Sequence, residues 1–189
     1  MKGGIGMKTN NAKQLFNEPN IRKETFKVPE AVTKIPKSRP ITNDKQMVNN
    51  FNSLLANEFS LFTKTLNFHW NVTGPRFHSV HQFLNDQYLS LLRVVDDVAE
   101  RIREIGGNPI GTLTELQRES SLVERPGVRP ETSNMIADLM VDHESIELQI
   151  KDMLRNYNDS GRDPASEDFL VSLLKKHEEM AWMLKSHIQ

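Results

Sequence analysis

Residues 69–86 read HWNVTGPRFHSVHQFLND and place His69, His78 and His81, three of the six histidines, within thirteen positions. Gly74-Pro75 sits in the middle of this stretch and breaks whatever helix precedes it. Upstream, Val48, Phe51, Leu55, Phe59, Phe62 and Leu66 recur at three- and four-residue spacing, which predicts one buried helical face. Downstream, Phe77, Val80, Leu84, Leu91, Val95, Val98, Ile102 and Ile105 repeat the pattern until Gly106-Gly107 stops it. Two long helices joined by a tight turn form an antiparallel hairpin. His69, near the end of the first helix, then lies across the turn from His81.

The rest of the chain continues in the same period. Residues 108–131 are rich in Pro and Gly around a short apolar stretch, TLTEL, read as a brief helix. Thr132 or Ser133 can cap a third long helix carrying Ile136, Leu139, Met140, His143, Ile146, Ile150, Met153 and Leu154 inward. After NDSGRD, Asp163 caps and Pro164 opens a fourth, with Phe169, Leu170, Leu173, His177, Met180, Ala181 and Leu184 on one face. No segment alternates with period two. Four long helices with one long connection, between the second and third, describe an all-α four-helix bundle of the ferritin-like type, with a short helix in the crossover.

The 189 residues carry a formal net charge of −1, and that figure hides an asymmetry. Residues 1–40 hold nine basic side chains (Lys2, Lys8, Lys13, Arg22, Lys23, Lys27, Lys34, Lys37 and Arg39) against Glu18, Glu24 and Glu30, so the arm is +6 and the remainder −7. With Pro19, Pro29, Pro36 and Pro40 and no sustained period, residues 1–42 read as a basic extended arm, with at most a helical turn near Leu15–Phe16, ahead of a helical domain at 43–189. If Met7 is the natural start, Lys2 is lost from it. Such an arm is either a solvated tail or a contact for polyanions, whose phosphates it neutralises without reading sequence. The chain has no cysteine, which removes disulfides, thiolate nucleophiles and cysteine metal sites. No apolar run approaches the roughly 18 residues of a membrane span. The N-terminal stretch has no secretory core either, so the expected location is cytoplasmic and the Asn71-Val72-Thr73 glycosylation pattern reads as accidental.

His81 and Asn85 are four apart on the second helix, as are Asp96 and Glu100 further along it. Imidazoles and carboxylates without thiolate suit iron, manganese or zinc, and open positions lean toward iron. The blander reading makes His69 a packed histidine, His78 a surface one and Asp96/Glu100 a solvated pair. Fifteen positions separate His81 from Asp96, roughly 22 Å along a helix. One ion therefore cannot be held by both ends of the same helix. The half-sites meet only if a second copy of the helix lies antiparallel across a two-fold axis, which gives two equivalent sites per pair of chains.

HWNVTGPRFHSVHQFL followed by DDVAERIREIGG resembles the central signature of the Dps family, the miniferritins of starved cells, and HEEMAWMLKSH from His177 resembles that family's last helix. The resemblance covers roughly residues 43–189. It implies a hollow dodecamer with ferroxidase centres at two-fold interfaces. One subunit would supply His69, His81 and the residue at 85, and its neighbour Asp96 and Glu100, with Trp70 packed nearby. It also implies oxidation of Fe(II), preferentially by hydrogen peroxide and otherwise by dioxygen, with ferric mineral kept inside the shell and DNA protected. Pores near the start of the last helix would be lined by Asp168, with Asp163 and Glu167 as weaker matches. In some relatives basic arms bind DNA, the role open here to Lys8, Lys13, Arg22, Lys23, Lys27, Lys34, Lys37 and Arg39.

One position departs from the pattern. Asn85 stands where the family has aspartate, and it offers a carbonyl oxygen without negative charge. Asp86 points about 100° further round the helix and is a poor substitute. Weaker iron binding, a changed second metal position or slower oxidation is expected. The alternatives are an architectural DNA-binding shell whose centre has decayed and a helical assembly protein without catalysis.

Overall fold

The computed structural model describes residues 45–156 and 163–188. The basic arm, its lysines and arginines, the turn expected near Leu15–Phe16 and most of NDSGRD lie outside the described residues. Five helices follow in order: α1 (Lys45–Asn71), α2 (Phe77–Glu104), α3 (Leu113–Glu119), α4 (Thr132–Asn156) and α5 (Pro164–Ile188). α1 packs along α2 and α4 along α5, and the two pairs close into one bundle through α1 against α4 and a lighter contact of α2 with α5. The short α3 lies on α1 within the crossover. Among the described residues the fold is all-α, as the periodicity predicts.

Local chemistry places the helix ends. Gly74 turns the chain with φ 103°, and its carbonyl accepts from Phe77 N at 3.0 Å to start α2. At the far end Gly106 takes φ 85°, donating to Arg103 O, while Gly107 N reaches back to Ile102 O at 2.8 Å. This paired closure satisfies the last carbonyls of α2. Asp163 caps α5 by accepting from Ala165 N at 3.3 Å, ahead of Pro164 at the first helical position. The cap expected at Thr132 or Ser133 is corrected: both residues are already helical, and the Thr132 hydroxyl donates to the Thr73 carbonyl at 2.8 Å. That bond spends the side chain on fastening the α1–α2 turn to α4. In the crossover, Thr112 and Glu115 cap α3 reciprocally.

Gly107 is needed for closeness. A Cβ there would lie 2.8 Å from both Val48 methyls and 2.9 Å from Ile102 Cγ2. Gly107→Ala is expected to destabilise the protein by about 1–3 kcal/mol through overpacking. A lowered urea midpoint with unchanged m-value, partly restored by Val48→Ala, is the result that checks it.

The inner faces of α2, α4 and α5 are those the sequence predicts, apart from the half-exposed Phe77 and partly buried positions at their edges. The face of α1 is rotated from the expected one. The structure buries Phe51, Leu54, Leu55, Leu61 and Phe68 and carries the stripe through Glu58 and Thr65, leaving Phe59, Phe62 and Leu66 only partly covered. Two polar residues interrupt the true stripe, so the neighbouring apolar run looks stronger in sequence. Polar links then fasten the crossover: Asn57 joins Ser120, Ser121 and Gln149, and Lys64 joins Asp142 and the Val123 carbonyl.

Candidate metal centre

The hairpin brings His69 and His81 face to face, rings stacked with centroids 3.8 Å apart. Their bonds are reciprocal: His69 Nδ1–H donates to the His81 carbonyl and His81 Nδ1–H donates to the His69 carbonyl, each at 2.9 Å. The His69 carbonyl lies in the last turn of α1, where the helix supplies no partner of its own. Donation from Nδ1 fixes the tautomer and leaves both Nε2 lone pairs available, the usual arrangement for a metal-binding imidazole. Phe77 covers His81 at 5.0 Å and Tyr88 stands edge-on to His69 at 5.1 Å.

Asn85 is half-buried one turn beyond His81. Its Oδ1 accepts from the Tyr88 hydroxyl at 3.0 Å, and its Nδ2 donates to Asp86 Oδ1 at 3.3 Å. Asp96 and Glu100 project into solvent far along α2, and Glu100 borders a cleft between α2 and α5 with Glu104, Phe169 and Lys176. Among the described residues no three His, Asp or Glu side chains are placed to hold a metal ion within one chain. Trp70 is 68% exposed and His78 is exposed within a single subunit. Tyr88 escaped the sequence reading, although its spacing of seven from His81 and three from Asn85 puts it on their face.

Asp163 has other commitments. Besides capping α5 it pairs with Arg101 of α2 and accepts from the Ser166 hydroxyl at 2.7 Å. Burial alone would raise its carboxyl, but Ser166, Arg101 and the cap bond hold it below the ordinary 3.8. Asp168 is exposed and Glu167 half-buried in the opening turns of α5.

A second polar cluster lies in the bundle core, remote from the hairpin turn. His143 Nδ1–H donates to His177 Nδ1 at 2.9 Å, and His177 Nε2–H donates to Glu58 Oε1 at 2.8 Å. All three are fully or almost fully buried, and Glu58 Oε2 has no partner among the described residues. Burial, and then His177, holds the His143 imidazole well below its usual 6.5. The unfolded chain therefore takes up this proton first, so His143 contributes stability that is complete above 6.5 and lost as pH falls. His187, lowered by burial and by Arg76, acts in the same direction. Asp142 acts oppositely, since burial raises its carboxyl above 3.8 despite Lys64. Urea midpoints are expected to fall between about pH 7.5 and 5.5, with a flatter profile for His143→Gln.

The comparisons with known proteins agree with this architecture. The model of the ferritin-like domain matches residues 48–189, which sets the class. A DNA protection during starvation protein of Bacillus anthracis is 33% identical over 146 residues, covering 77% of this chain and 98% of that protein. An uncharacterized low temperature-induced protein of Nostoc sp. is 38% identical over 143 residues, covering 76% and 80%. The crystal structure of Dps from Staphylococcus aureus superposes with TM-score 0.72 at 33% identity, covering 78% of this chain and 97% of that one. The chain belongs to the Dps family of ferritin-like proteins.

Proposed function

We propose that the protein is a ferroxidase and iron store of the Dps type, oxidising Fe(II) at centres shared between subunits and protecting DNA from oxidative damage. The reciprocal His69/His81 pair carries this reading: two imidazoles are held with both Nε2 lone pairs free. His69, His81 and the Asn85 oxygen would hold iron from one side, and Asp96 and Glu100 of a second copy would close it across a two-fold axis. The partly covered Phe59, Phe62 and Leu66, with exposed Leu89 and Leu92, supply apolar surface for such a contact. Family membership supports a homo-oligomeric shell, here read as a dodecamer. Within it, Asp168 and Glu167 would draw cations inward, with Asp163 contributing less because Arg101 neutralises it.

In the reaction two Fe(II) ions give one electron each to one hydrogen peroxide. The O–O bond breaks, both oxygens reach the oxidation level of water, and hydrolysis of the ferric product releases protons to solvent. Pairing the two electrons avoids release of hydroxyl radical. Dioxygen is the alternative oxidant. Among the described residues no helix is long and apolar enough to cross a membrane; the setting proposed is the cytoplasm.

Anaerobic Fe(II) loading followed by peroxide tests the reading. Ferric absorbance should rise well above a protein-free control, with the iron kept soluble, and Asn85→Asp should bind iron more tightly. Asn85 itself favours a second reading, a DNA-condensing shell with a weakened centre. Oxidation no faster than the control, together with salt-sensitive DNA shifts lost on removing residues 1–42, would select it. A protein that binds neither metal nor DNA would leave only a structural assembly.

A further inference from the structure

An asparagine ligand has a problem that an aspartate does not. The two ends of a carboxylate are equivalent, whereas a carboxamide presents either an oxygen that binds cations or an NH2 that repels them. Something must choose the end. We infer that Tyr88 fixes this choice: with Asp86 taking the NH2 end, Tyr88 is a positioning residue that holds the Asn85 oxygen on the side of His69. The inference rests on the iron centre proposed above.

Two bonds set the amide. The Tyr88 hydroxyl donates to Asn85 Oδ1 at 3.0 Å, and Asn85 Nδ2 donates to Asp86 Oδ1 at 3.3 Å. An ionised Asp86 carboxylate can only accept, so it takes the NH2 end and leaves the oxygen to Tyr88. Rotating the amide by half a turn would set oxygen against carboxylate, two acceptors with no proton between them. Tyr88 is itself held in place, its ring edge-on to His69 at 5.1 Å and to Phe62 at 6.4 Å. Its ring therefore stands beside the first imidazole and its hydroxyl beside the amide. The hydroxyl uses one lone pair of Oδ1 and leaves the other for a cation. Asp86, a poor ligand in its own direction, acquires a use as the anchor of the wrong end.

The test compares the intact assembly with Tyr88→Phe, Asn85→Asp and the double variant, titrated anaerobically with Co(II) and read by its visible d–d bands. Phenylalanine keeps the ring contacts with His69 and Phe62, and oligomer size and thermal melting verify each variant. With Asn85 in place, Tyr88→Phe should weaken Co(II) binding roughly tenfold, as expected for loss of a group that orients a ligand. In the Asn85→Asp background, where the two ends of the carboxylate are equivalent, the same change should cost less than about twofold. Equal losses in both backgrounds would overturn the inference and reduce Tyr88 to general support of the fold. Undiminished binding in Tyr88→Phe would overturn it while leaving the centre standing. Failure of the parent and Asn85→Asp alike to bind Co(II) would overturn the centre, and the inference with it.

Discussion

Replacing His177 with leucine is expected to destabilise the bundle by about 3–5 kcal/mol, a large share of a domain's total stability. His177 bridges Glu58 on α1 and His143 on α4 from its own place on α5, and all three side chains are buried. Its loss strands the Glu58 carboxyl group, one of whose oxygens already lacks a partner among the described residues. It also leaves the His143 Nδ1–H without an acceptor. The cost is the penalty of groups left buried and unsatisfied, more than the worth of the bonds themselves. For that reason His177→Leu combined with Glu58→Met should recover much of the lost stability. Urea unfolding of the single and double variants measures both effects, and a double variant no better than the single would refute the account.

The second large effect concerns where the proposed iron centre is assembled. His69→Ala/His81→Ala subunits alone should oxidise Fe(II) no faster than a protein-free control, and Asp96→Asn/Glu100→Gln subunits alone should do the same. Unfolded together and reassembled, the two should regain activity. A mixed pair has one intact centre and one that keeps only Asn85, so random pairing restores on the order of one quarter of the centres. The roughly 22 Å between His81 and Asp96 on one helix demands this outcome. No recovery in well-assembled mixed shells would mean that the two ligand sets do not act together.

Much of this protein could be read from its residues. Gly74-Pro75 and Gly106-Gly107 marked the ends of α2, and the faces of α4 and α5 followed from spacing, including the inward places of His143 and His177. The nearness of His69 and His81 followed from the turn. The face of α1 did not, because Glu58 and Thr65 occupy its most buried line and a polarity pattern cannot show that a partner on another helix waits for them. The orientation of Asn85 was hidden for a related reason. Spacing places a side chain on a face, but which end of an amide points where depends on the donors and acceptors around it, here Tyr88 and Asp86.

The hairpin has one more consequence. His69, His81, Asn85, Asp96 and Glu100 all lie on α1, the turn and α2, and none of these candidate ligands comes from α4 or α5. On the proposed ligand set labour would be divided along the chain: the first half would carry the oxidation, and the second would supply packing and the acidic Glu167 and Asp168. Core substitutions in α4 and α5 would then change packing while leaving the proposed ligand set in place. If that ligand set holds, residues 69–100 would form a transplantable unit, a segment that another helical dimer could host if it offered the same antiparallel pairing.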